Sequence, residues 1–333
     1  MKEYIDIYRM LEDKESKDIW LSRLNYLITG DYTYIDYIVE NYCSKVYNEY
    51  SGGVNLDKKS EVIFYGAGER AKYMRIPVNV KLFCDQDEKK QKEGFRGYQV
   101  ISVDELIKRH RNADIVITSR QYYEEIKENL IEEGFDKRQI YGIYNLSERQ
   151  YFDESFLKFD HDEVFVDAGA YDLTTTLEFA QRCKDFKKIY AFEPDENNIR
   201  YCNKRKAGEK RIEIVPFGTW SEKNELRFRA LGNWSSKIDD MGEETISVTA
   251  IDNVVKEKVT YIKMDVEGAE LETLKGAKNI ICRDKPKLAV CIYHKPEDMT
   301  DLPIYIKSLV PEYKLYVRHY SEEKYETILY AIR

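Results

Sequence analysis

Short apolar runs that alternate with helix-period segments constrain this 333-residue chain more than any other feature, and the alternation occurs twice. In the first series, 62–65, 80–84, 113–118 and 139–143 read as buried strands, and 103–109 and 122–133 as helices, the latter closed by Gly134. In the second, 164–167, 188–193, 212–217, 259–265 and 286–293 read as strands. Helices near 174–183, 197–206, 269–281 and 299–310 separate them. Strands alternating with helices imply a parallel sheet, so two α/β units are expected. The tyrosine and aliphatic alternation at 313–320 and 325–332 predicts a closing antiparallel hairpin, and 226–228 with 245–248 an added β pair.

The expected domains are a helical segment at 1–57, a small α/β domain at 58–145 and a larger one at 155–333, with a linker over 144–159. Ile5, Tyr8 and Leu11, then Trp20, Leu24, Leu27 and Ile28, carry the N-terminal helical period, which resumes over 34–46. Ser51-Gly52-Gly53 reads as a loop, and 69–73 as the start of a short helix.

A net charge of -8 argues against a general electrostatic grip on nucleic acid or on an acidic membrane. No run reaches the roughly 18–20 apolar residues of a membrane span. Glu3, Asp6, Glu12 and Asp13 interrupt any signal-peptide pattern. None of the six cysteines forms a C-x-x-C pair, so reduced thiols and a cytoplasmic location are expected. The 28 tyrosines suit a sugar site in principle, but they are spread over the whole chain.

In an open parallel sheet, ligands bind beyond the carboxyl ends of the strands, where strand order reverses. In the second series those ends are Asp167-Ala168-Gly169-Ala170-Tyr171, Glu193-Pro194-Asp195, Gly218-Thr219-Trp220, Asp265-Val266-Glu267-Gly268 and Tyr293-His294. Three of the five finish on a carboxylate, an arrangement suited to S-adenosylmethionine. Gly169 lets backbone approach the ligand, and the amides of the turn receive the methionine carboxylate. Asp167 is expected to bind the amino group, directly or through water, and Glu193 to accept the ribose hydroxyls. Gly218, Thr219 and Trp220 close over adenine. Asp265, expected to face both cofactor and acceptor, and His294, expected as the proton acceptor, are with Glu267 the candidate catalytic groups. Asp265 and Glu267 alone are an incomplete set of ligands for a divalent cation, so a metal is possible but not favoured. Glu270 reads as a carboxylate that suits a helix dipole, His319 as a hairpin residue, and His110 and His161 as surface residues. Trp234, Ser235 and Ser236 are expected on a loop beside the substrate.

Val166-Asp167-Ala168-Gly169-Ala170-Tyr171, Ala191-Phe192-Glu193-Pro194-Asp195 and above all Lys263-Met264-Asp265-Val266-Glu267-Gly268-Ala269-Glu270-Leu271, followed by Leu274-Lys275-Gly276-Ala277, resemble the FkbM-type methyltransferases. The resemblance covers about 160–333. It implies a class I, Rossmann-like methyltransferase sheet and S-adenosylmethionine-dependent methyl transfer to a hydroxyl of a saccharide or related small metabolite. The chain departs from the family at Leu173, where a second glycine is common, and a stiffer loop follows from that.

The first series carries Gly66-Ala67-Gly68 after its first strand and Asp85 after its second, which invites a nicotinamide reading. It also resembles small Rossmann-like domains attached to sugar-modifying enzymes, and that implies a nucleotide-sugar handle or a silent scaffold. A binding protein on a degenerate methyltransferase fold is the rival to the enzyme.

Overall fold

The computed structural model describes residues 2–43, 61–68, 80–119, 122–142, 150–229, 244–321 and 323–333, together with 59, 71, 76, 237 and 238. The expected loop at Ser51-Gly52-Gly53, most of the helix start at 69–73, the end of the helical period at 44–46, the beginning of the linker at 144–149 and the loop residues Trp234, Ser235 and Ser236 lie outside them. The chain forms two compact units, Met1–Ile38 with Arg149–Arg333, and Val39–Glu148.

The smaller unit holds a five-stranded sheet. Its strands are β1 (Val62–Tyr65), β2 (Val80–Cys84), β3 (Gln99–Ile101), β4 (Asp114–Ile117) and β5 (Ile140–Gly142), in the order β3-β2-β1-β4-β5 and all parallel. Every residue of β1 and β4 is buried, as a parallel sheet covered on both faces demands.

The larger unit is built on seven strands: β6 (Val164–Ala168), β7 (Lys188–Phe192), β8 (Ile212–Val215), β13 (Tyr261–Met264), β14 (Lys287–Cys291), β15 (Lys314–His319) and β16 (Thr327–Ile332). Their order is β15-β16-β14-β13-β6-β7-β8, with β16 antiparallel to both neighbours. Strand order reverses between β6 and β13. Tyr261, Phe165 and Phe179 stack in the core beneath that point. A second, four-stranded sheet combines β9 (Gly218–Thr219), β10 (Asn224–Arg229), β11 (Lys237–Ile238) and β12 (Glu244–Thr249). The expected β pair is β10 with β12, paired antiparallel.

Two helical expectations change. The single helix at 269–281 divides into Glu270–Gly276 and Lys278–Asp284. A Cβ at Gly276 would lie 1.9 Å from the Trp220 carbonyl oxygen, so the first helix ends in backbone contact with the β9 turn. The N-terminal helices Lys2–Met10 and Lys14–Thr29 belong to the larger unit instead of standing apart as a 1–57 segment. The first packs on the helix Asp298–Leu309, and the second, with the turn that precedes it, covers β15, an edge strand whose open hydrogen-bonding groups need a partner. Ser16 Oγ accepts from Val317 N at 2.9 Å, Glu12 N donates to Leu315 O at 3.0 Å, and Arg318 pairs with Asp13 at 2.6 Å. Trp20 Nε1 donates to Met299 O at 2.9 Å. The first helix buries Ile7 and leaves Ile5 and Tyr8 outside, while Leu11, just past its end, is buried in a bridge to Leu315, although all four are apolar enough to suit either face.

Candidate active site

The turn after β6 is shaped by close approach. Gly169 has φ 85°, and a Cβ there would lie 1.9 Å from the Asp265 carbonyl oxygen, so only glycine lets β6 and β13 come together at the point of reversal. Tyr171 and Leu173 also adopt left-handed conformations, with φ 46° and 70°. The departure at Leu173 therefore falls where glycine would be at ease. Leucine is held there by burial against Ala170, Ala191 and Cys202.

The turn's amides have internal acceptors. Gly169 N and Ala170 N donate to Phe192 O, and Tyr171 N donates to Glu193 Oε2 at 2.9 Å. Expected to receive a methionine carboxylate, they instead knit the turn to β7. Asp167 is likewise enclosed. It is fully buried, 3.0 Å from Lys263 Nζ, and accepts from Thr176 Oγ1 at 2.7 Å. Lys263 is 2% exposed and also donates to Gly169 O at 2.7 Å. Burial disfavours its charge, but Asp167 and Asp265 outweigh that and hold its pKa above the ordinary value. Asp167 thus organises the turn through Lys263, where sequence reasoning placed it against the ligand.

Glu193, 5% exposed at the end of β7, is different. Burial pushes its carboxyl up to about 7 even though Asp195 N, Asn198 Nδ2 and Tyr171 N donate to it. Pro194 follows it, and Asp195 caps the next helix by accepting from Asn197 N and Asn198 N. Gly218 and Thr219 form a strand instead of an open loop: they pair with Val248 and Thr249, and Thr219 Oγ1 lies 2.7 Å from Thr273 Oγ1. Trp220 follows at the strand end, half-buried.

Asp265, Glu267 and His294 converge as expected from the ends of β13 and β14. His294 Nε2 lies 3.4 Å from Asp265 Oδ1 and 3.6 Å from Glu267 Oε2. Its Nδ1 lies 2.7 Å from Glu270 Oε1, which also accepts from Val266 N at 3.0 Å. Glu270, read as a dipole residue, is fully buried and holds the imidazole. Burial opposes charge on His294, but Glu270, Asp265 and Glu267 together push its pKa up to about 10. The three carboxylates thus favour the charged form of the ring, which works against His294 as the expected proton acceptor. Burial raises Glu267 to about 7. Burial also opposes charge on Asp265, but Lys263, His294 and the Tyr151 hydroxyl hold it below the ordinary carboxylate value.

Tyr151 escaped the sequence reading, which placed it in the linker. It is buried, donates to Asp265 Oδ2 at 2.9 Å and accepts from Gln150 Nε2 at 2.8 Å. Tyr293 Oη lies 3.4 Å from Asp265 Oδ1, and Gln150 Nε2 also donates to Glu326 Oε2. Of the remaining histidines, His319 is buried with Nδ1 2.8 Å from Thr327 Oγ1, and burial pushes it down to about 3. His161 is exposed, and His110 is half-buried beside Glu61 at 2.9 Å.

In the smaller unit, Gly66 has φ 110° and a Cβ there would lie 2.4 Å from Thr118 Oγ1, whereas one at Gly68 would meet open space. Asp85 accepts from Ala67 N at 2.7 Å and pairs with Lys90 at 3.0 Å.

Residues 167–320 match the methyltransferase FkbM domain family, and 58–141 match the C2185-like N-terminal family. No curated protein matches the chain. A methyltransferase FkbM from Methylobacillus flagellatus KT is similar in structure over 82% of this chain and 90% of its own, with a TM-score of 0.50 and 21% identity. An rRNA methylase from Streptococcus thermophilus aligns over 51% of this chain and 86% of its own, with a TM-score of 0.35 and 19% identity. Fibrillarin from Aeropyrum pernix, solved with natively bound S-adenosyl-L-methionine, aligns over 56% and 74%, with a TM-score of 0.35 and 11% identity. Residues 167–320 thus match the methyltransferase FkbM domain family and lie on a mostly parallel, Rossmann-like sheet.

Proposed function

We propose that this protein transfers a methyl group from S-adenosylmethionine to a hydroxyl of a saccharide or related small metabolite. The observation that carries the reading is the pair of carboxylate sites on one edge of the larger sheet: Glu193 at the end of β7, and the Asp265, Glu267 and His294 cluster at the ends of β13 and β14. The close approach at Gly169 lies between them in the strand order.

The residues present fit the cofactor at its ribose end. Glu193 is desolvated, and the ribose hydroxyls would supply donors to its ionised form. Ala168, Gly169, Ala170 and Tyr171 would line the methionine portion, with Pro194, Gly218, Thr219 and Trp220 toward the adenine. S-adenosylmethionine, when bound, supplies the electrophilic methyl group. A sugar hydroxyl is a weak nucleophile, and a positioned base contributes about 10²–10⁴-fold. Asp265 and Glu267 would accept the hydroxyl proton, while the His294 imidazolium balances their charge and Tyr151 orients Asp265. In this reading the small domain offers a nucleotide-sugar handle at Gly66-Ala67-Gly68, and the protein works in the cytoplasm without nucleic acid, as its net charge of -8 supports. Among the described residues no helix is long and apolar enough to cross a membrane.

The test is incubation of the full chain with methyl-labelled S-adenosylmethionine and a panel of glycans and nucleotide-sugars, read by mass spectrometry, alongside calorimetry with S-adenosylhomocysteine. Transfer to a hydroxyl, with saturable cofactor binding, is expected. Absence of cofactor binding would sink the reading.

A further inference from the structure

We propose that Asp265, Glu267 and His294 form a binding site for a divalent first-row transition cation, with His294 Nε2 and one oxygen of each carboxylate as ligands and Glu270 holding the imidazole in place. The claim begins with an unmet group. His294 has a side chain only 9% exposed, and its Nε2 has no hydrogen-bond partner. That nitrogen faces Asp265 Oδ1 at 3.4 Å and Glu267 Oε2 at 3.6 Å without hydrogen-bond geometry. Two ligands about 2.1 Å from a shared ion at tetrahedral to octahedral angles lie about 3.0–3.5 Å apart, so the observed separations match within a few tenths of an ångström.

The surroundings suit an ion. The Nδ1 contact to Glu270 at 2.7 Å is the carboxylate–histidine arrangement that fixes ring orientation in metal sites. Glu270 is itself fully buried, and its Oε2 has no hydrogen-bond partner. Ligand atoms of Asp265, Glu270 and His294 fall within 4.8 Å of one another. Glu270 Oε1 holds Nδ1, so we assign Glu270 to the ring, and the half-exposed Glu267 carboxyl, 3.6 Å from Nε2, would turn onto the ion to complete the set. The nearby lysines are engaged elsewhere, Lys263 with Asp167 and Lys295 with the Gly268 carbonyl. One imidazole with carboxylates points to manganese or a neighbouring divalent ion, since imidazole is not the usual ligand of magnesium or calcium.

Three protein ligands leave coordination positions open. If the methyl-transfer reading holds, the ion would replace the Nε2 proton of His294 in balancing the carboxylates, and the acceptor hydroxyl in an open position would lose its proton more easily to a carboxylate oxygen that does not bind the ion. That role rests on the reading, but binding of the ion does not.

The test titrates Mn²⁺ into the full chain without cofactor and follows loss of the free-ion electron paramagnetic resonance signal. Wild type should bind one ion per chain, and pulsed spectra should show modulation from a ligating imidazole nitrogen. Asp265→Asn and Glu267→Gln should each weaken binding by about 100-fold, and Glu270→Gln by about 10-fold. His294→Gln should abolish the nitrogen modulation. Thermal unfolding controls for folding; Glu267 is the decisive position, because its half-exposed side chain tolerates replacement. No Mn²⁺ binding, or equal binding by wild type and Glu267→Gln, overturns the site. Calorimetry with S-adenosylhomocysteine on the same samples separates the claims: loss of cofactor binding condemns the methyl-transfer reading and leaves the manganese result standing.

Discussion

Each of the two units presents a glycine turn after a central strand and a carboxylate after the neighbouring strand, yet their energetics differ. In the smaller unit, burial opposes charge on Asp85, but Asp87 N, Ala67 N and Lys90 outweigh it and hold its pKa below the ordinary value. In the larger unit, Glu193 accepts three N–H donors and burial still raises it to about 7. The larger turn also keeps Tyr171 and Leu173 in left-handed conformations that cost roughly 1–2 kcal/mol each for residues with a Cβ. Unfavourable terms held by the surrounding fold often mark a ligand site, and among the described residues of the two turns the strained non-glycine positions fall at the larger one. The same local pattern therefore yields a carboxylate paired with a lysine in one unit and, in the other, a more deeply buried one that meets only neutral donors.

The largest expected effect sharpens the contrast at the chemistry itself. Asp265→Asn should reduce methyl transfer by about 10²–10⁴-fold and leave S-adenosylhomocysteine affinity within a few fold. Near-normal turnover would remove Asp265 from the reaction. Next, Glu193→Ala should weaken cofactor binding by about 1.5–3 kcal/mol, because a charged hydrogen-bond acceptor is lost, whereas Asp85→Ala should leave that affinity unchanged in calorimetry. Equal losses from both would erase the distinction between the turns.

Leu173→Gly relieves left-handed strain of about 1–2 kcal/mol but deletes a fully buried side chain, a loss of about 2–5 kcal/mol in large-to-small replacements. A net destabilisation of about 1–3 kcal/mol is expected from denaturant unfolding. A stabilised variant would show that strain, not packing, dominates the turn.

A smaller effect is pH dependence. Glu193 is raised from 4.5 to about 7, so the folded protein holds this proton more tightly than the unfolded chain. Its contribution to stability is complete below pH 4.5 and is lost as pH rises to about 7. Ribose hydroxyls favour the ionised form, so cofactor affinity should rise by several fold as pH passes through about 7. Glu193→Gln should flatten that profile, and an unaltered slope would assign it to another group. The smallest effect belongs to Gly68→Ala. With open space around its Cβ, stability should stay within about 0.5 kcal/mol and S-adenosylhomocysteine affinity should not move, so any loss of nucleotide-sugar binding would report on the turn itself.

Both α/β series, the added β pair, the closing hairpin and the convergence of Asp265, Glu267 and His294 were readable from the chain alone. Strand and helix periods, with glycine and carboxylate at strand ends, are local patterns that survive without knowledge of distant contacts. The misreadings share one cause. The helix Glu88–Glu93 has no apolar stripe and β3 is three residues long, so neither carries a period. The break between Gly276 and Lys278 depends on the backbone of Trp220, and the buried face of the first helix depends on the helix Asp298–Leu309. Tyr151 and Glu326 reach the site from segments 114 and 61 residues away from Asp265 in sequence, a pairing that chain topology alone decides. Asp167 and Glu193 show the same division at the scale of single groups. Their positions at strand ends follow from local pattern, but whether a carboxylate meets a buried lysine or three N–H donors is settled by what tertiary packing brings within about 3 Å, where charge and hydrogen bonding act.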